Sequence, residues 1–374
     1  MTTTTNVIKH KRIYDVSPAR KLSMGIVEIA IALLIFFVFA LKTQAEHFTR
    51  FVMTPGGIDQ GMMRDLVLPS RTTLIVLAAI VLAIGIYQLV KGFGRQTNLM
   101  VGVSAVALIF SFLVWQAAGM SLNLAGMLSS AVLLAVPITL GAFSGILAER
   151  SGIINISIEG MMLMASMAAA IVGSVTKNVW AGLLGGILAS VLLALILGVL
   201  SIKYKVNQTI SGTVINIFST GMTAFISQKF LQGNQGLNQP PMFSRVPIPL
   251  LADIPLVGPI LFNQNIFVYL MIIILIVLQL ALFQTRWGLR LRSVGEHPKA
   301  ADTLGINVIK TRYMGVILSG VVAGIAGAFF TLGSVGRFDE GMTAGKGFIG
   351  LAAMIFGNWM PIGSLGAGLL FGFA

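Results

Sequence analysis

The sequence predicts an all-α integral membrane protein, a polytopic bundle of about ten transmembrane helices. Two observations carry that reading. Of 374 residues, 56% are hydrophobic and only 10% are charged, where an ordinary soluble domain has roughly 25% charged residues. A soluble chain of this length would need far more charge to cover its surface, so lipid covers it here. The 42 glycines agree, because small residues let membrane helices approach closely.

Crossing a hydrocarbon core of ~30 Å takes roughly 17–25 mostly apolar residues. Runs of that kind are Met24–Leu41, Thr72–Val90, Asn98–Ala118, Leu124–Leu147, Ile153–Gly173, Val179–Ile202, Gln208–Leu231, Ile266–Phe283 and Tyr313–Leu332, with a last one within Lys346–Ala374. Strands are disfavoured, since a barrel alternates polar and apolar residues over ~10-residue segments. Residues 1–23 read as a cytoplasmic tail, 24–118 as three helices with an outer loop at 42–71, and 119–374 as the core of the protein. Met24–Leu41 is longer than a signal-peptide core of ~7–15 residues, and Thr43-Gln44-Ala45 beside Lys42 is a poor cleavage site, so an uncleaved first helix is predicted. The second long outer loop, Gln232–Asn265, carries Pro240, Pro241, Pro247, Pro249, Pro255 and Pro259 and reads as an extended surface segment. Counted from Pro361, the final run Ile362–Ala374 is too short to cross, so the polypeptide is expected to lack its last helices.

Orientation follows from the basic residues. With the N-terminus in the cytoplasm, the inner segments hold Lys9, Lys11, Arg12, Arg20, Lys21, Lys91, Arg95, Arg150, Lys203, Lys205, Arg286, Arg290, Arg292, Lys299, Lys310 and Arg312, which is 16 of 25, leaving 9 outside. The asymmetry obeys the positive-inside rule and predicts a multi-pass protein of the cell membrane. It also disposes of nucleic acid as a partner, because the net charge of +13 is spread over loops rather than gathered on one face. With no cysteine, disulfides and thiolate metal sites are excluded. His10, His47 and His297 are too scattered for a metal site, and no cofactor is predicted. Gly341–Gly347 resembles a phosphate loop only superficially: Glu340 sits where the first glycine is required, and Gly347 follows Lys346. ATP binding by this chain is therefore not expected, and no constellation of paired acids or activated nucleophile suggests an enzyme.

Three segments carry mechanism. The longest inner loop, Gln284–Arg312, has the grammar of a short helix at its centre: Pro298 suits the first helical position, Ala300, Ala301 and Leu304 form a small apolar face, and Gly305 suits a left-handed stop. So short a helix is marginal alone and would need something to dock on. In Ala148–Gly160, Glu149 and Arg150 are expected to neutralise each other at the end of a span. Asn155, Ser157 and Glu159 then enter apolar sequence between Gly152 and Gly160. An acid within a span is a functional candidate by default, and a glycine-interrupted helix can expose backbone dipoles to a solute. A structural reading stands beside it, in which Glu159 pairs with Arg150 or a polar neighbour and only locks the bundle. Asn207–Asn216 opens another span with Asn207, Gln208, Thr209, Ser211 and Asn216, which either stitch helices together or line a pathway. Asn155, Ser157, Glu159 and Asn216 are the candidate pathway residues. Phe338-Asp339-Glu340 lies between spans on the outer side, as a partner contact or an ordinary loop. The pairs Gly141/Gly145, Gly182/Gly186, Gly320/Gly324 and Gly368/Gly372 read as helix-packing positions.

Gly-Glu-His-Pro-Lys-Ala-Ala-Asp-Thr-Leu-Gly, within Gly288–Gly305, resembles the coupling loop of ABC importer permeases of the branched-chain amino acid, ribose and simple-sugar family. Three further blocks agree in order: AERSGIINISIEGMM (Ala148–Met162), NQTISGTVIN (Asn207–Asn216) and the run from Phe338 to Phe373. Together they resemble the family's nucleoside and simple-sugar branch. The resemblance implies that Gly295, Glu296, Pro298, Ala300, Ala301, Leu304 and Gly305 couple to a separate ATPase subunit. It also implies a second permease subunit, identical or homologous, and an extracytoplasmic substrate-binding lipoprotein. The implied solute is a nucleoside or simple sugar. The first three spans exceed what this branch leads one to expect, and its usual closing helices are missing after Ala374. A secondary transporter or channel is the alternative; it would need intramembrane couplers, for which Glu28 and Glu159 are the candidates, and no potassium-filter sequence is present.

Overall fold

The computed structural model describes residues 17–54, 65–254 and 257–374. Lys9, His10, Lys11, Arg12 and Asp15, most of the tail at 1–23, and Pro255 lie outside the described residues. The chain divides into two compact units, Met1–Leu124 and Ala125–Ala374.

In the first unit α1 spans Pro18–Leu34, opened by Ser17 as N-cap and Pro18 in the first turn, and it continues in wider π-helical turns over Ile35–Ala40. Helices α2 (Ser70–Val90) and α3 (Thr97–Gln116) complete the trio. The outer loop expected at 42–71 is not featureless. It holds β1 (Phe48–Val52) and β2 (Leu66–Pro69), paired antiparallel, and β1 also pairs in parallel with β3 (Ser121–Asn123). Thr49 Oγ1 fastens this small sheet to the helices, lying 2.8 Å from Ser70 Oγ and donating to the Val114 carbonyl at 3.0 Å. Ile35, Phe39, Phe51, Leu74 and Val114 form the unit's core.

The second unit contains α4 (Leu124–Glu149), α5 (Ile158–Thr176), α6 (Val179–Gly198), α7 (Gln208–Ile226, extended by π-helical turns over Ser227–Leu231) and α8 (Ile266–Gln284). The short hairpin β4 (Arg245–Pro247) and β5 (Asn263–Asn265) precedes α8. Then follow α9 (Arg286–Glu296), α10 (Pro298–Thr303), α11 (Val308–Ala328, extended over Phe329–Val335), α12 (Lys346–Phe356) and α13 (Pro361–Phe373). Helices α4, α5 and α11 are mostly buried and form the centre, while α6, α7 and α8 expose most of their surface. That is the arrangement lipid permits, since apolar side chains face outward at no cost. The glycine pairs make the close approaches. Gly182 on α6 meets the Ala169 carbonyl of α5, Gly320 and Gly324 on α11 meet Val191 and Ile187 of α6, and Gly368 and Gly372 on α13 meet Thr139 and Ala135 of α4.

Two expectations need correction. Nine helices among the described residues are long and apolar enough to cross a membrane. The expected tenth, within Lys346–Ala374, is instead two short helices of 11 and 13 residues. Asn358 and Trp359 take left-handed backbone, with φ of 54° and 53°, which stops α12, and Pro361 opens α13. The span expected from Ile153 becomes helical only at Ile158, because 150–157 is irregular.

Candidate functional site

Two stretches of the second unit leave helical geometry: 150–157, before α5, where Ser151, Ile153, Asn155 and Ser157 are buried, and 336–345, before α12, which is mostly exposed. Irregular backbone at membrane depth must find its hydrogen bonds within the protein. Polar residues singled out in the sequence supply them. The Ile154 N–H donates to Gln208 Oε1 at 2.7 Å. Asn216 Nδ2 donates to the Ile156 carbonyl at 2.9 Å, and its Oδ1 accepts the Gly160 N–H at 2.8 Å. Gln208, Gly212 and Asn216 follow one another at intervals of four on a single face of α7. The bare face of Gly212 lets the segment lie close, since a Cβ there would sit 3.1 Å from Ile156 Cβ. Asn155 Oδ1 accepts the Ser157 N–H at 3.0 Å and the Ser157 hydroxyl at 2.7 Å, and its Nδ2 donates to Ser319 Oγ at 2.9 Å. Ser319 Oγ lies 2.8 Å from Ser144 Oγ. Asn155 and Ser157 are fully buried and serve this repair rather than an open surface, whereas Glu159 and Asn216 are half-buried.

Glu159 ties the two irregular stretches together. Its Oε1 accepts the Thr343 hydroxyl at 2.6 Å and the Gly345 N–H at 2.9 Å, and its Oε2 accepts the Gly347 N–H at 2.6 Å. Gly345 is the N-cap residue of α12 and has no side chain to cap with. A carboxylate from α5 fills that role at the positive end of the helix. Gly347 permits the approach, because a Cβ there would lie 2.6 Å from Glu159 Cα.

Glu149 and Arg150 do not neutralise each other as expected. The Trp359 indole N–H donates to Glu149, Arg150 Nη2 donates to the Trp359 carbonyl at 3.0 Å, and Arg150 Nη1 lies 3.9 Å from Glu296 Oε1. Burial lowers the Arg150 guanidinium below its ordinary pKa, Glu296 opposes that shift, and Arg292 adds to it. Since α12 has 11 residues, ~16 Å of helix separates the Trp359 contacts from Glu159, about half of a ~30 Å hydrocarbon core.

The short helix expected at Pro298–Leu304 forms as α10. His297 Nδ1 accepts the Ala300 N–H at 3.2 Å at its start, and Gly305 stops it with φ of 77°. Its faces differ from the reading of the sequence. Ala301 is 1% exposed and packs within its own chain, while Leu304 is 80% exposed and Ala300 faces outward beside it. Just before α10, Gly295 of α9 touches the turn that opens the first irregular stretch. A Cβ at Gly295 would lie 2.4 Å from the Arg150 carbonyl oxygen. A path therefore leads from α10 along the chain to Gly295, across a close approach to Arg150, along the chain through Asn155 and Ser157 to Glu159, and across its hydrogen bonds to α12.

Reading the sequence missed Thr343, Ser319, Ser144 and Trp359 as members of this network, and missed Thr213 and Thr220 on α7. These two are exposed in line with Thr209 and Asn216 on this spanning helix, which has the lowest mean hydropathy of the nine, 1.3. That low value was the available signal.

Residues 127–374 match the family model described as "Branched-chain amino acid transport system / permease component". The chain belongs to this permease family. It is 38% identical over 243 residues to a nucleoside ABC transporter permease protein of Lactococcus lactis, covering 63% of this chain and 76% of that one. To a guanosine ABC transporter permease protein of Bacillus subtilis it is 38% identical over 249 residues, covering 64% and 77%. A putative glucose ABC transporter permease protein of Haloferax volcanii is 35% identical over 248 residues, covering 66% and 75%. No solved structure matches. The permease is thus a multi-pass membrane protein, and the family match includes the network around Glu159 and the α9–α10 segment but leaves α1–α3 outside.

Proposed function

We propose that this permease forms the translocation pathway of an ATP-driven importer for a nucleoside or simple sugar, with ATP hydrolysed by separate subunits docked on α10. A second permease subunit and an extracytoplasmic substrate-binding lipoprotein complete the assembly, and the N-terminus is cytoplasmic. The observation that carries the reading is the short path, through one close approach and the 150–157 segment, from α10 to Glu159. A docking helix at one end and two irregular segments joined by one carboxylate at the other are what coupling of an external ATPase to a membrane gate requires. Exposed Leu304 and Ala300 form the docking face. The polar row Thr209, Thr213, Asn216 and Thr220 faces the solute or the second permease. The solute class is carried by the relatives' identities and by the hydroxyl- and amide-rich character of that row.

The test is reconstitution with the ATPase and lipoprotein in liposomes, followed by uptake of radiolabelled nucleosides and sugars. Uptake that requires ATP supports the proposal. Uptake driven by an ion gradient without ATP would overturn it in favour of a secondary transporter.

A further inference from the structure

We infer that a polar cavity of about 670 Å³, at the junction of the α7 extension with the 232–239 and 336–340 loops, recognises the solute as an uncharged hydrogen-bonding molecule. The inference rests on the importer reading and assigns its point of recognition. The volume lies in the range of ~300–1,000 Å³ typical of small-molecule sites.

The cavity is built rather than incidental. Its floor is the buried pair Leu231 and Phe338, packed on Leu163 and Met167 of α5. Its two loops are clamped by one side chain: Asn238 Nδ2 donates to the Phe338 carbonyl at 2.9 Å, and Asn238 Oδ1 accepts the Phe338 N–H at 2.7 Å. Against this fixed frame, Gln232, Gln235, Gln239 and Glu340 line the cavity, with side chains that make no hydrogen bond or ion pair among the described residues. Three carboxamides and a carboxylate offer adjacent donors and acceptors, which suit vicinal hydroxyls or the edge of a nucleobase.

Charge sharpens the class. Arg337 is already paired with Asp339, Nε to Oδ1 at 3.1 Å, so Glu340 is left as an unpaired negative charge in the lining. A phosphate would be repelled, and the unengaged side chains of the lining are all polar or charged, which favours a hydrogen-bonding solute over an aliphatic side chain. Ser227, which also lines the cavity, extends the row that Thr220 and Asn216 begin on α7, so the recognised solute faces the proposed pathway.

The chain has no cysteine, so Gln235→Cys supplies a single thiol on an exposed, unengaged position. The permease–ATPase complex in liposomes, without the lipoprotein, is labelled with a membrane-impermeant maleimide in the presence of guanosine, glucose, leucine or guanosine monophosphate. Slower labelling with guanosine alone assigns a nucleoside, and with glucose alone a sugar. Leucine and the monophosphate should not protect. In the complete importer, Glu340→Gln should raise the half-saturating concentration of the protecting solute about tenfold, the loss of one charged hydrogen-bonding group. ATP-dependent uptake with no protection by either solute, or protection only on adding the lipoprotein, overturns the inference while leaving the importer reading intact. Equal protection by the monophosphate overturns it too. If neither solute class is taken up, the importer's substrate reading fails, and this inference fails with it.

Discussion

Glu159→Gln isolates the tie between α5 and α12 with one change of atom. The carboxylate receives three donors, two on Oε1 and one on Oε2. A carboxamide has one oxygen, which can keep Thr343 and Gly345, but its NH₂ must then face the Gly347 N–H, donor against donor. The charge-assisted bond lost there is worth roughly 1.5–3 kcal/mol, and the two that remain weaken as the charge disappears. A total near ~3 kcal/mol shifts the balance between docked and released α12 about a hundredfold, at ~1.4 kcal/mol per factor of ten. Solute uptake should fall at least tenfold, and amide hydrogen exchange at 343–347 should accelerate. Assembly with the ATPase should persist, because none of the three bonds involves α9 or α10. Exchange and uptake both at the level of the unsubstituted permease would refute the tie. Failure to assemble would show that Glu159 locks the whole bundle rather than one joint.

Leu304→Arg should abolish solute-stimulated ATP hydrolysis while leaving the isolated permease's thermal stability intact, as co-elution and melting curves would report, because this side chain is 80% exposed. Ala301→Arg should instead lower stability by about 1–3 kcal/mol as well, since Ala301 is buried in its own chain. Gly295→Val forces the α9 end away from the Arg150 carbonyl, with which a Cβ would collide at 2.4 Å, and should uncouple hydrolysis from uptake in liposomes even though the ATPase still binds. Single cysteines at Ser293 and Ser244 should label from opposite sides of the membrane, Ser293 from the cytoplasm; labelling of both from one side in intact cells contradicts the proposed orientation.

Features specified by nearby residues were readable in the sequence. Continuous apolar runs marked the long helices, and Pro298 and Gly305 bracketed α10 because each has a local backbone preference. Features decided by distant partners were not. Ile153–Ile158 is apolar enough to continue a helix, and its irregular path exists only because Gln208 and Asn216, more than fifty residues away, take over its backbone hydrogen bonds. The break at Asn358 and Trp359, by contrast, carried a local signal in Gly357-Asn358 followed by Pro361. Glu159 was visible as an intramembrane acid, but its partners stand 184 to 188 positions away. In α10 the spacing grouped Ala301 with Ala300 and Leu304. Which side turns inward was set by packing against the permease's own chain.

These non-local contacts share a geometry that bears on coupling. Helix α12 runs antiparallel to the irregular stretch 150–157 and is held at both of its ends. Trp359, just beyond one end, is held by Glu149 and Arg150, and the N-terminus at Gly345–Gly347 is held by Glu159. The two anchors flank the same break in the chain. In the proposed coupling, a displacement delivered by α9 at Gly295 arrives at one anchor and needs only the 150–157 segment to reach the other. A continuous helix would answer such a push as a rigid body. A segment held by individual side-chain bonds, each worth about 0.5–1.5 kcal/mol, can exchange one set for another at a cost within reach of nucleotide-driven docking. On that account the break before α5 lets a movement at the α10 end reach Glu159 without tilting the buried centre formed by α4, α5 and α11.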